Sequence, residues 1–149
     1  MAPTVKAYDE LLESSIKPLT ASCDALGDMK NMGQLIDDAW TSIRKILLLS
    51  SRSKKPNDAM TELQPHLAPT QEAIKSIRSL RLDRKYDDHC KAIIESLGCL
   101  SWILISPPPQ TPSAFVKEAL ASTEYWSNKI RKQYKTTDEE QVAFCNRLK

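Results

Sequence analysis

Asp87, Asp88 and His89 stand side by side, the one cluster of ionisable groups with the composition of a metal or general-base site. A zinc ion needs ligands that converge on one point, and a general base must reach the proton it removes. Adjacent residues on a helix point about 100° apart, so these three cannot all face one ion. Two successive acids fit instead the first turn of a helix, where the dipole favours negative charge. The cysteines are Cys23, Cys90, Cys99 and Cys145; none falls in a Cys-x-x-Cys pair, and the only other histidine is His66. Cys90 adjoins His89, but its apolar spacing predicts a core thiol of low reactivity. The sequence has no Gly-rich phosphate loop, Gly-x-Ser-x-Gly elbow or His-Glu-x-x-His helix. It reads as a protein that works by binding rather than catalysis, with no catalytic residue, metal ligand or cofactor site to assign.

Charge is the remaining chemistry. The net charge of +2 is unevenly distributed. Residues 1–40 carry 3 basic and 7 acidic groups, residues 41–85 carry 10 and 4, and residues 86–149 carry 8 of each. The middle third, at +6, could meet an acidic protein surface or a phosphate backbone. Its densest run is Ser51-Arg52-Ser53-Lys54-Lys55-Pro56. Aromatic and basic residues do not interleave there and no basic tail follows, which argues against nucleic acid.

The elements that would position these groups are helices. Val5, Tyr8, Leu12, Ile16, Leu19, Cys23 and Leu26 recur at steps of three and four, and Pro18 predicts a kink or break near Ser14–Lys17. Gly27 and Asp28 end that helix. Met29, Met32, Ile36, Ala39, Ile43, Ile46 and Ser50 mark the second, widened by Leu35, Trp40 and Leu47. A third, capped by Asn57 or Asp58, carries Met60, Leu63, Leu67, Ile74 and Ile77; Pro65 and Pro69 predict a broken start. A fourth begins near Tyr86 and buries Cys90, Ile93, Leu97, Leu100 and Leu104. Pro107-Pro108-Pro109 reads as a stiff connector to a fifth that starts at Pro112 or Ser113. Thr137-Asp138-Glu139-Glu140 fits a capping box before a short last helix with Val142, Cys145 and Leu148 inward and a frayed end. The expected fold is all-α, a single antiparallel bundle of about six helices. No apolar run approaches the ~20 residues of a membrane span, so no membrane span is expected, and a cytoplasmic protein is.

Three stretches in register resemble the N-terminal helical domain of the cyclase-associated protein family. Ser51–Pro56 followed by Leu63 and Leu67-Ala68-Pro69 is similar to the family's Ala-Ser-x-x-x-x-Pro and Leu-x-x-Pro region. His89 followed by Glu95-Ser96-Leu97-x-x-Leu100-x-Trp102 resembles its Glu-Ser-Ile-x-x-Leu-Gly-Trp helix. Phe115-Val116-Lys117-Glu118, then Glu124-Tyr125-Trp126-Ser127-Asn128-Lys129-Ile130 through Lys135, resembles its Tyr-Val-Lys-Glu and Glu-Phe-Tyr-Thr-Asn-Arg-Ile segments. The chain departs from the family at Asp87-Asp88, where Phe-Asn is frequent, at Ser101, where glycine is common, and in its proline turn.

The resemblance implies an actin-cytoskeleton regulator. Its partners would be actin and ADF/cofilin, and it would bind cofilin-decorated filaments and promote their severing and disassembly. The implied contacts are Arg52, Lys54, Lys55, Arg78, Lys85, His89, Asn128, Lys129 and Lys132, read as exposed polar positions; Leu97, Trp102 and Trp126 are assigned to the core. The family's coiled coil, which drives oligomerisation and cyclase binding, has no counterpart here, nor do its proline-rich, actin-motif and β-domains. The family domain also continues past the position matching Lys149, so a shortened last helix is expected to leave apolar surface that pairs with a second copy as a homodimer. The alternative reading is a generic helical adaptor with an unrelated partner.

Overall fold

In the computed structural model, which describes residues 2–149, ten short segments assemble into six helical rods. The first rod is α1 (Pro3–Leu11), one π-helical turn (Leu12–Ile16) and α2 (Lys17–Ala25). Then come α3 (Lys30–Ser50), α4 (Ala59–Ser79), α5 (Asp87–Gly98), α6 (Pro112–Tyr134) and α7 (Glu139–Arg147). A 3-10 turn, Arg84–Tyr86, leads into α5, and another, Cys99–Leu104, follows it. No strand occurs among the described residues.

The kink expected before Pro18 is the π turn. Proline lacks the N–H that a helix needs and crowds the carbonyl four residues back. The chain widens by one residue there, and the Lys17 N–H bonds Leu12 O rather than a carbonyl four residues back. Such a bulge keeps the rod unbroken. It also keeps Val5, Tyr8, Ile16, Leu19 and Cys23 all buried on one side of the rod.

Gly27 then ends α2 at φ 69°, a left-handed conformation that favours glycine. Gly33 serves a different purpose: a Cβ there would lie 3.1 Å from Thr20 O, so its absence lets α3 cross close over α2.

α3 is the central rod. Met29, Met32, Ile36, Ala39, Ile43 and Ile46 are all buried, as the spacing predicts, whereas Ser50 is exposed. α4 packs along it. Contrary to the expected broken start, α4 runs unbroken through Pro65 and Pro69. Both prolines are exposed, so water can satisfy the carbonyls their missing N–H groups abandon. The Asp58 carboxylate caps this helix, accepting from Met60 N at 3.1 Å and Thr61 N at 3.3 Å. The core face of α4 is Leu67, Thr70, Ala73 and Ile77; Met60 is exposed, and Leu63 and Ile74 are half-buried. Thr70 enters the core because its hydroxyl pairs with that of Ser42 on α3.

The rods form a ring. α3 lies between α2 and α4, α5 between α4 and α6, and α7 packs on both α6 and α2 to close it. The cap of α7 falls on Asp138 rather than Thr137, its carboxylate accepting from Glu140 N at 3.0 Å and Gln141 N at 3.3 Å. Phe144 and Cys145 are fully buried and Leu148 is nearly so, so the end of α7 is docked rather than frayed.

A side chain that fills the closing seam should matter to the whole ring. Phe144→Ala is expected to cost about 3–5 kcal/mol in urea unfolding. Phe115→Ala, at a half-buried position on α6, should cost less than half as much. Equal effects would show that α7 is not the closing element.

Candidate partner-binding surface

Of the nine residues that the family resemblance implies as contacts, eight are exposed, and the fold divides them among three places. Arg52, Lys54 and Lys55 sit on the α3–α4 loop. No carboxylate lies within ion-pair distance of them among the described residues. Asp58, the acid nearest in sequence, is engaged in capping α4, and its hydrogen bonds to Thr61 hold its carboxyl below the usual carboxylate range. Lys54 and Lys55 line a cleft of about 540 Å³ whose apolar wall is Ile46, Leu49, Pro56 and Leu63.

Arg78 lies in the last turn of α4, where a cation complements the helix dipole. Lys85 follows in the 3-10 turn, its ammonium 5.0 Å from the Tyr86 ring centroid. α4 has 21 residues, which puts about 30 Å between this end and the Arg52–Lys55 loop.

Asn128, Lys129 and Lys132 form the third group, on α6. The Lys129 ammonium lies 4.6 Å from the Trp126 ring centroid and 5.4 Å from that of Tyr125. Lys91 on α5 lies 4.6 Å from the Trp126 ring as well. Cations held over aromatic faces gain about 0.5–1 kcal/mol at exposed sites, which fixes two otherwise mobile lysines. Lys91 has its aromatic partner on another helix, and no spacing within one segment shows such a pair. Trp126 and Trp102 are half-buried against the core and Leu97 is fully buried, consistent with their assignment there.

His89 is the exception among the nine. It is 1% exposed, so it is not a surface contact. Its ring is wedged between Tyr86 and Phe144, with centroids 5.2 Å away in both cases. Nε2 is hydrogen-bonded to the Gln141 side chain on α7, while Nδ1 is buried without a partner. Spacing had put Cys90 on the buried face of α5; the helix is turned so that His89, Ala92, Ile93 and Leu97 face inward and Cys90 is half-buried. Burial raises the Cys90 thiol above its ordinary pKa, with Asp87 adding to the effect, which leaves it protonated. Asp87 and Asp88 occupy the first turn of α5, as expected. No group of His, Cys, Asp or Glu able to hold a metal ion occurs among the described residues.

The family model described as "CAP, N-terminal domain" matches residues 8–149. The chain belongs to the cyclase-associated protein family. Human adenylyl cyclase-associated protein 2 is 30% identical over 141 residues, covering 93% of this chain and 29% of that protein. The Dictyostelium discoideum adenylyl cyclase-associated protein is 29% identical over 145 residues, covering 96% and 31%. The chain therefore spans about three tenths of these relatives. The N-terminal domain of the Dictyostelium protein superposes with a TM-score of 0.82 at 26% identity, over 97% of this chain and 84% of that one. Another CAP N-terminal domain, whose crystal structure is described as indicating variable oligomerisation, superposes at 0.85 and 26% identity, over 99% and 79%. The all-helical bundle is thus the architecture of CAP N-terminal domains.

In this CAP domain, buried His89 ties stability to pH. Desolvation lowers its pKa below the ordinary 6.5, opposed by the Gln141 hydrogen bond and by Asp88. The folded state therefore binds fewer protons than the unfolded chain once the pH drops below 6.5, and stability falls with it. The decline continues until the pH passes the folded-state pKa, at up to about 1.4 kcal/mol per pH unit. Urea unfolding between about pH 7 and pH 5 should show this slope, and His89→Gln should flatten it. A slope unchanged in the variant would mean another group is responsible.

Proposed function

We propose that this CAP-family chain is an actin-cytoskeleton regulator that binds filaments decorated with ADF/cofilin and promotes their severing and disassembly. The observation that carries this reading is the match of residues 8–149 to the CAP N-terminal domain. The exposed basic loop beside an apolar cleft supports it, since a cationic rim suits an acidic protein surface. The mechanism is differential affinity. A domain that binds a filament-end geometry more tightly than the filament interior shifts the equilibrium toward subunit loss, without any chemical step of its own. Arg52, Lys54 and Lys55 are proposed as principal contacts, and Arg78, Lys85, Asn128, Lys129 and Lys132 as secondary ones. Lys91 joins Lys129 at Trp126 in this proposal.

Self-association belongs to the same proposal. One CAP N-terminal domain of this fold is described as indicating variable oligomerisation, and this chain keeps large exposed hydrophobics such as Met60 and Tyr125. Light scattering over a concentration series should show mass rising toward two copies, and a constant monomer mass would remove this part.

Reversing Arg52, Lys54 and Lys55 together to Glu should weaken co-sedimentation with cofilin-saturated filaments. At about 0.5–1 kcal/mol per exposed contact, the loss is roughly tenfold to a hundredfold, and larger at low salt. Unchanged co-sedimentation at both salt concentrations would remove the loop from the interface. Failure of the unaltered chain to sediment with decorated filaments would favour a helical adaptor with an unrelated partner.

A further inference from the structure

Serines in basic surroundings occur at several places on this bundle, and the fold treats their hydroxyls differently. Ser50 and Ser51 donate to Leu47 O at 2.9 Å and Leu48 O at 2.7 Å, carbonyls left open at the end of α3. Ser79, between Arg78 and Arg81 in sequence, ends α4 and donates to Lys75 O at 3.0 Å. Ser53 is exposed, and its hydroxyl has no intramolecular hydrogen bond among the described residues. It lies in residues 51–58, the longest stretch between helices among the described residues. Beyond it, Lys54, Lys55 and Pro56 take neither helix nor turn, and Pro56 biases Lys55 toward extended backbone. Arg52 precedes Ser53 and two lysines follow it. Ser53, Lys54, Lys55 and Glu62 all line the loop cleft.

A protein kinase needs the acceptor hydroxyl free, since that oxygen attacks the γ-phosphorus of ATP. Kinases that select basic substrates meet the flanking Lys and Arg with carboxylates of their own. Ser53 meets both conditions. Ser51 and Ser79 fail the first because their hydroxyls are held to a helix. Ser106, exposed and outside the helices, fails the second because residues 96–116 carry no charge. We propose that Ser53 is a phosphorylation site for a protein kinase selective for basic substrates, and that phosphate there weakens the loop's hold on an acidic partner. In the transfer, Ser53 Oγ bonds the γ-phosphorus as that atom's bond to the β-phosphate oxygen breaks. ADP leaves, and the hydroxyl proton passes to the kinase's catalytic aspartate. The three loop cations stand beside two carboxylates, Asp58 and Glu62, which leaves a formal surplus of one positive charge. A phosphoserine adds about −1.5 to −2 charges at pH 7, so the sign of the loop reverses. The effect on filaments rests on the reading of this loop as a filament contact; the modification itself does not.

The folded chain is incubated with ATP and the catalytic domain of a serine kinase selective for Ser-x-Lys, and in parallel with a proline-directed kinase. Peptide mapping by mass spectrometry should place phosphate on Ser53 with the first enzyme and not with the second. Ser53→Ala should lose it, whereas Ser51→Ala and Ser79→Ala should keep it. No phosphate, phosphate mainly on Ser51 or Ser79, or uptake at Ser53 only after unfolding in urea would overturn the site. The phosphorylated chain, its fold checked by circular dichroism, should bind cofilin-saturated filaments roughly threefold to tenfold more weakly at low salt. Kinase treatment of Ser53→Ala should leave that variant's own binding unchanged. Equal co-sedimentation of the phosphorylated and unmodified chains would overturn the effect on binding. An unmodified chain that does not sediment at all would refute the filament reading and that effect with it, while the phosphate map still decides the site.

Discussion

The ring of rods closes where α7 lies between α6 and α2, and the space at that seam is filled by Phe144. Around it the polar groups are arranged so that closure leaves few of them unpaired. Gln141 reaches His89 on α5, and Arg131 on α6 donates to Cys145 O at 3.0 Å. The Cys145 thiol, raised by burial to about 11, stays protonated and approaches Ser127 O at 3.4 Å. Buried polar groups cost free energy unless paired, so these bonds fix one orientation of α7 where packing alone would tolerate several. The same device joins other rods: Tyr86 Oη donates to Leu26 O and Tyr8 Oη to Trp40 O, each at 2.9 Å. Two aromatic side chains thereby carry hydrogen bonds from one rod to another, the Tyr86 bond buried and the Tyr8 bond partly so.

Helical spacing is a property of a single segment, and what a single segment determines was legible. The apolar stripes of the first rod and α3, the irregular turn before Pro18, the stop at Gly27 and the acids opening α5 all follow from local rules. What depended on a neighbouring helix was hidden. The core face of α4 includes Thr70 because Ser42 is opposite, and the face of α5 turns on His89 because Gln141 and Phe144 meet it there. Pro65 and Pro69 looked like breakers, yet both project to solvent, where a lost hydrogen bond is replaced by water. For His89, the family motif marks the position but not its purpose. A histidine in a motif reads equally as a contact or as a core fastener, and only burial distinguishes them.

The candidate surface was legible in its residues and not in its grouping. Exposure of Arg52, Lys54, Lys55, Arg78, Lys85, Lys129 and Lys132 follows from their positions on loops and outward faces. Their grouping follows from the antiparallel path of the rods: α4 puts Arg78 about 30 Å from the Arg52–Lys55 loop, and the last turns of α6 return beside the start of α5, where Tyr134 lies 6.3 Å from His89. A flat partner surface would not cover all three groups with equal closeness, so the groups should differ in what they contribute.

Local charge balance says which end gains most from an acidic partner. Around the α4–α5 junction, Arg78, Arg81, Arg84 and Lys85 are accompanied by Asp83, Asp87 and Asp88, so the summed field there is nearly neutral. The departure at Asp87-Asp88, where the family often has Phe-Asn, is what adds those two negative charges. On α6, Lys129 and Lys132 are joined by Arg131 and by Lys135 just beyond the helix, and Glu124, the nearest acid before them, pairs with Lys149. At the α3–α4 loop the three cations are accompanied by Asp58, whose carboxylate is already committed to α4's first-turn N–H groups, and by Glu62, which lines the same cleft as Lys54 and Lys55. A Debye length of about 8 Å at physiological salt confines each cluster's field to its own end of the bundle. What sets the loop apart is the apolar cleft beside its cations, which lets their potential act next to a surface where water is readily displaced.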